Sequence, residues 1–194
     1  PERAARPVPR LGGKGVIGLT TKLEDVVDQL ISTNTHDNIL FFTTRGRVFQ
    51  LRAFDIPQAS RTAKGQALVN FLQLAPHESV SAVLSMEDIG IYKYLVMVTS
   101  RGNIKKTALE DFANVRKSGL IALKLKTDDL LEWVRPSGGK DDVVIVTSGG
   151  QEIRFKESEV RSMGRTASGV RAIRLKSNDT VVGMDVVSPD LVKR

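Results

Sequence analysis

The feature that most limits what this chain can fold into is internal repetition. Ile39-Leu40-Phe41-Phe42-Thr43-Thr44-Arg45-Gly46-Arg47-Val48 aligns with Leu95-Val96-Met97-Val98-Thr99-Ser100-Arg101-Gly102-Asn103-Ile104, and again with Val143-Val144-Ile145-Val146-Thr147-Ser148-Gly149-Gly150-Gln151-Glu152. Each copy reads as an apolar run, a threonine, a polar turn closing on glycine, then more strand. A second landmark lies 17 to 19 residues beyond each turn glycine: Arg61-Thr62-Ala63-Lys64-Gly65, Arg116-Lys117-Ser118-Gly119 and Arg165-Thr166-Ala167-Ser168-Gly169. A further copy, Arg10-Leu11-Gly12-Gly13-Lys14-Gly15, sits near the N-terminus, and glycines 15, 65, 119 and 169 are 50, 54 and 50 residues apart. A period of this size marks one supersecondary unit stacked repeatedly rather than an ordinary globular core.

The strands within a unit come at short, regular intervals. The first complete copy predicts Ile39–Thr43, Val48–Arg52, Ala67–Leu74 and Val80–Ser85, and the other two follow the same order. The turns joining the first two strands suit tight hairpins, where glycine supplies positive φ. Four short strands per repeat of about 50 residues predict an all-β, propeller-like array of four-stranded blades. Complete blades cover 37–90, 91–140 and 141–194, while 1–36 holds only the second half of one, so the sequence reads as part of a longer array. Continuous apolar first strands such as Val143–Val146 are expected to be fully buried and nearest the centre; alternating segments such as Val170–Leu175 keep one face wet. Thr21–Leu30 and Leu109–Val115 are too short and too embedded between strands to be convincing helices.

The chain has 194 residues, 29 Lys+Arg against 22 Asp+Glu, a formal charge of +7 and no cysteine. This excludes a disulfide scaffold, thiolate metal sites and a cysteine nucleophile, and points to polyanionic partners. No apolar run reaches membrane-spanning length, so no membrane is expected as a partner. Residues 91–140 carry ten cations against five carboxylates, which makes this unit the electropositive one. Enzymatic readings find little support. Gly12-Gly13-Lys14-Gly15 lacks Walker-loop spacing. His36 and His77 are isolated, so neither a metal site nor a Ser-His-Asp arrangement follows. Tyr92 and Tyr94 lie in no nucleophile context, and Phe41, Phe42, Phe49 and Phe71 fall on core positions. The acidic pairs Glu24/Asp25, Asp128/Asp129 and Asp141/Asp142 read as solvated loops. No catalytic residue, metal or cofactor is expected.

What recurs is a cation beside a glycine turn. Arg45, Arg47, Arg101, Lys105, Lys106, Arg116 and Lys117, with Arg61, Lys64, Arg165, Arg10 and Lys14, would place positive charge once or twice per blade on equivalent edges of a curved body. Glycines 12, 13 and 15 would offer backbone N–H groups as an anion-binding concavity. Such an arrangement suits phosphates along a bent duplex, without base reading. Lys124 and Lys126 alternate and fit the solvated side of a strand equally well. Arg52, Lys156 and Arg161 read as solvated charges.

Taken together, the repeat phrases, the stretch Ile56-Pro57-Gln58-Ala59-Ser60-Arg61-Thr62-Ala63-Lys64-Gly65, and Pro9-Arg10-Leu11-Gly12-Gly13-Lys14-Gly15 resemble the C-terminal domain of the DNA gyrase A subunit from about Arg6 to Val187. The last stretch matches five of the seven positions of that family's Gln-Arg-Arg-Gly-Gly-Lys-Gly motif. Pro9 and Leu11 depart from it, removing one hydrogen-bonding side chain and one cation. The resemblance implies a β-pinwheel, a ring of blades with exchanged hairpins, usually six where this chain holds three and a fraction. It implies a noncatalytic domain that wraps double-stranded DNA without sequence preference and supports negative supercoiling. Its partners would be the gyrase B subunit together with the rest of the A subunit, in the cytoplasm at the nucleoid. Two alternatives are the corresponding domain of topoisomerase IV, which the near-complete glycine motif disfavours, and a propeller-like protein-interaction scaffold.

Overall fold

A computed structural model describes residues 29–59 and 65–188. The first unit contributes β1 (Asn38–Thr43), β2 (Arg47–Arg52) and β3 (Val80–Ser85); the second contributes β4 (Tyr94–Thr99), β5 (Asn103–Ala108), β6 (Leu120–Ile121) and β7 (Leu131–Ser137). The third contributes β8 (Asp142–Thr147), β9 (Glu152–Lys156), β10 (Val170–Arg171) and β11 (Val181–Val187). Gly46, Gly102 and Gly150 close the hairpins with φ of 72°, 75° and 75°. Short helical turns, Met86–Ile89 and Leu109–Phe112 among them, link the strands.

The sheets do not coincide with the repeats. Their orders are β3-β1-β2-β6, β10-β5-β4-β7 and β11-β8-β9, with neighbouring strands antiparallel throughout. The landmark strand of each unit therefore crosses to the preceding blade: Ile121 and Leu120 pair with Arg47 and Val48, and Arg171 and Val170 with Asn103 and Ile104. This exchange accounts for a departure from expectation. Ala67–Leu74, the landmark segment of the first unit, has no blade before it among the described residues, and it forms a 3-10 turn at Leu68–Asn70 instead of a strand. Leu72, with Phe71 and Leu74, covers the far face of the first blade against Ile39, Phe41, Phe49 and Leu51.

Burial of both sheet faces explains the continuous apolar first strands. In β1, Leu40 and Phe42 pack with Leu95, Met97, Leu131 and Val134 of the second blade, while Ile39 and Phe41 face the other way. Val96 and Val98 of β4 turn to the third blade, meeting Val143, Ile145 and Met184. Val144 and Val146 point away from that interface, and Val146 is 37% exposed, so β8 is not fully buried. The first strands are not innermost either. The fourth strands pack in succession, β3 on β7 and β7 on β11, and so converge, leaving β6 and β10 at the outer edge.

Candidate nucleic-acid interface

The outer edge is built by close backbone approach. Gly119, at φ +83°, lies on the Phe49 ring, where a β-carbon would come within 2.7 Å of Cε1. Gly169, at φ +77°, lies against the carbonyl of Ile104, and a β-carbon there would stand 3.2 Å from Lys105 Cβ. The landmark glycines thus let one unit's strand cross over the previous unit's hairpin. The crossing is pinned where Ala122 N–H donates to Gly46 O (2.8 Å) and Ala172 N–H to Gly102 O (2.9 Å).

A carboxylate fixes each hairpin, a role absent from the sequence expectations. Glu78 accepts from Thr43 Oγ1 (2.6 Å), Arg47 Nε (2.9 Å) and Ala75 N–H (2.8 Å). Asp129, 5% exposed, accepts from Thr99 Oγ1 (2.7 Å), Ser100 Oγ (3.1 Å), Asn103 Nδ2 (2.8 Å) and the N–H groups of Arg101 and Leu130 (both 3.0 Å). Asp179 accepts from Ser148 Oγ (2.7 Å) and the N–H groups of Gly149 (2.8 Å) and Thr180 (2.9 Å). Burial pushes the Glu78 carboxyl up, but Arg47, Thr43 and the Ala75 N–H outweigh it and hold it below the usual range. The Ser148 hydroxyl does the same for Asp179. The signal was an acid two residues before each fourth strand, at intervals of 51 and 50 residues. Asp129 is therefore no solvated loop residue. Nor is Asp142, 4% exposed and paired with Arg154 (2.6 Å) and with Lys156 (2.5 Å), which is itself not a free charge.

The expected phosphate-facing residues divide. Arg10, Gly12, Gly13, Lys14, Gly15, Arg61 and Lys64 lie outside the described residues. Arg45, Arg101, Arg116 and Lys117 are exposed and Arg165 is half-buried. Lys117 reaches Asp55 at 3.0 Å and holds that carboxyl below its ordinary range. Arg47 is committed to Glu78 (2.7 Å), Gln73 O and the face of Phe49. Lys105 and Lys106 are inside, because β10 and the segment that leads to it cover β5. Lys106 Nζ donates to Glu157 O (2.8 Å) and lies over Tyr94. Lys105, fully buried, donates to Ala122 O (2.7 Å) and Arg165 O.

Burial pulls the Lys105 ammonium down to about 8, against attraction from Asp111 and with added repulsion from Arg165. The unfolded chain, titrating near 10.5, then holds more protons between pH 8 and 10.5, so stability rises with pH across that window. The full effect is on the order of 3 kcal/mol. Urea unfolding at pH 7.5 and 10 should show this rise in the native chain and lose it in Lys105→Met.

At the turn end of the second and third blades, a groove of about 760 Å³ is lined by Arg101, Lys126, Arg171, Arg174, Lys176 and the exposed Asp128. Its two other carboxylates, Asp129 and Asp179, are held by their hairpins. Counted from the landmark glycines, Lys124 and Lys126 occupy the places that Arg174 and Lys176 occupy one unit later. All four are exposed, and Lys126 Nζ donates to Asn103 Oδ1 (2.8 Å). The offset of five and seven residues from glycine was readable, but the pair recurs in only these two complete units. Exposed cations of this kind suit contacts to phosphates.

The comparisons agree with this architecture. A model of the DNA gyrase C-terminal domain, beta-propeller family matches residues 37–85, 93–137 and 141–188. The DNA gyrase A subunit of Clostridium acetobutylicum is 50% identical over 160 residues, covering 82% of this chain and 19% of that protein. Its counterpart in Staphylococcus epidermidis is 41% identical over 180 residues, covering 92% and 20%. The chain thus spans about a fifth of the length of these relatives. Among solved structures, a C-terminal domain of DNA topoisomerase IV superposes with a TM-score of 0.74 at 29% identity, covering 80% of this chain and 49% of that one. A DNA gyrase A C-terminal domain gives 0.64 at 22% identity, covering 87% and 57%, a likeness of fold. With three family matches falling on the three repeat units and their exchanged strands, the chain belongs to the DNA gyrase C-terminal domain family, as a β-pinwheel.

Proposed function

We propose that this chain is a noncatalytic DNA-binding portion of a gyrase A subunit that bends duplex DNA around its outer edge, without sequence preference, and so supports negative supercoiling. The observation that carries the reading is the recurrence of cations at matching places on successive units, Lys124/Lys126 and Arg174/Lys176, beside Arg101, Arg116 and Arg171. Smoothly bending a 20–30 bp site by 40–90° costs on the order of 1–6 kcal/mol, so many phosphate contacts must act together to offset it. Partners in the intact enzyme are gyrase B and the rest of the A subunit, in the cytoplasm at the nucleoid. No helix among the described residues is long and apolar enough to cross a membrane.

Removing Lys124, Arg174 and Lys176 together by alanine substitution should weaken duplex binding on the order of tenfold or more at 0.1–0.2 M salt, and flatten the log–log salt slope by about 0.9 for each phosphate no longer neutralised. Fluorescence anisotropy with a labelled 30-bp duplex measures both. Unchanged affinity and slope would leave these cations as solubilising charges on an interaction scaffold. The superposition with a topoisomerase IV domain favours a second reading, engagement of DNA without full wrapping. Supercoiling by the complete enzyme carrying this chain separates the two.

A further inference from the structure

Lys105 stands apart among the described cations. It is fully buried and has no carboxylate within ion-pair distance among the described residues, and its Nζ donates to two backbone carbonyls from different units. Ala122 belongs to the segment that completes the first blade, and Arg165 opens the loop that completes the second. At the matching place in the first unit stands Phe49, which packs under Gly119 with no polar atom, so an apolar side chain fills this site without a charge. Burying an ammonium costs free energy that only well-placed acceptors offset. The same two loops are joined again where Lys124 N–H donates to Ala167 O (3.2 Å).

We infer that Lys105 is an internal clasp between successive outer-edge loops, a positioning residue that fixes the spacing of the cations borne by residues 116–126 and 165–176 and thereby the curvature offered to DNA. The inference rests on the DNA-bending reading for its consequence, though not for the clasp itself. Individual phosphate contacts do not need the clasp, since Arg116, Lys124, Arg174 and Lys176 stay at the surface without it. A bend shared by two blades does need it, because the contacts must fall at one set distance. The charged groups that face Lys105 are Asp111, from the turn after β5, and Arg165, from the loop above; β4's adjoining residues and Leu120–Leu123 bring none. Burial lowers the amine's pKa to about 8 in this closed arrangement, so rising pH favours it over an opened one in which Lys105 meets water.

The test compares the native chain with Lys105→Met. In the native chain, the carbonyl ¹³C resonances of Ala122 and Arg165 should titrate together near pH 8. In the variant they should be flat, and amide exchange at residues 166–169 should quicken tenfold or more. Affinity for a 12-bp duplex should stay within twofold, while the end-to-end approach of a 60-bp duplex, read by energy transfer, should fall by half or more. Native bending should hold or strengthen between pH 7.5 and 9, and the variant's should not change with pH. Carbonyl resonances that do not titrate, or exchange and bending equal to the native chain's, would overturn the clasp. If the variant fails to fold, the native carbonyl titration still decides. If the native chain bends no duplex, the DNA reading fails, and the titration and exchange judge the clasp alone.

Discussion

Replacing Asp129 with alanine is expected to cost about 3–5 kcal/mol of folding stability, the largest single effect of any described carboxylate. Its side chain accepts from two hydroxyls, one amide and two backbone N–H groups within 3.1 Å, and it is 5% exposed. Truncation leaves those donors without an acceptor while water is largely excluded, so their desolvation cost is no longer compensated. Asp129→Asn should lose roughly half as much, since one amide oxygen still accepts while the new NH₂ opposes the existing donors. Asp128→Ala, one residue away, exposed and at φ +55°, should cost about 1 kcal/mol or less, the left-handed penalty alone. Urea denaturation followed through Trp133, the sole tryptophan and a residue of β7 itself, measures all three. A loss below about 1 kcal/mol for Asp129→Ala would show that the hairpin is held by its backbone pairing alone.

The second large effect separates backbone strain from crowding. Gly150 and Gly169 have nearly the same positive φ, 75° and 77°, but a β-carbon at Gly150 meets nothing within 4 Å, whereas at Gly169 it meets the Ile104 carbonyl and Lys105 Cβ. Gly150→Ala should therefore cost only the left-handed penalty, about 1–2 kcal/mol. Gly169→Ala adds a clash with backbone that cannot move without breaking the Val170–Ile104 pairing, and should cost about 3–5 kcal/mol. Thermal or urea unfolding of the two variants side by side gives the comparison. Equal losses would mean that the crossing strand lifts away at little cost, and that the landmark glycines serve conformation alone.

The period, the hairpins and the core positions of Phe41, Phe42 and Phe49 were legible from residues alone because each depends on local spacing and apolar pattern. Lys105 and Lys106 were misplaced because their burial depends on which strand covers β5, and that strand comes from about 65 residues further along. Lysine beside a turn glycine carries no local sign of a roof. The absent strand at Ala67–Leu74 has the same origin: a strand needs a partner, and its sequence resembles its counterparts whether or not one is present. Glu78, Asp129 and Asp179 were overlooked for a different reason. Acidic residues before a strand are common in loops, and only the hydroxyl at the far end of each unit reveals their purpose.

The borrowed strand gives the array a direction. Each of the first two described blades borrows its outer strand from the unit that follows and lends that unit no strand, so this dependence runs one way along the chain. A cut after residue 140, at a repeat boundary, would leave the second blade without Val170–Arg171, although every residue of its own repeat was kept. The heritable unit and the cooperative unit are therefore out of phase by most of a repeat. Exchanging whole repeats between relatives would bring two foreign seams, one beneath each landmark strand, and moving the exchange point to just after β6 would still part β10 from the β5 it pairs with, so no point between β5 and β10 spares the second blade.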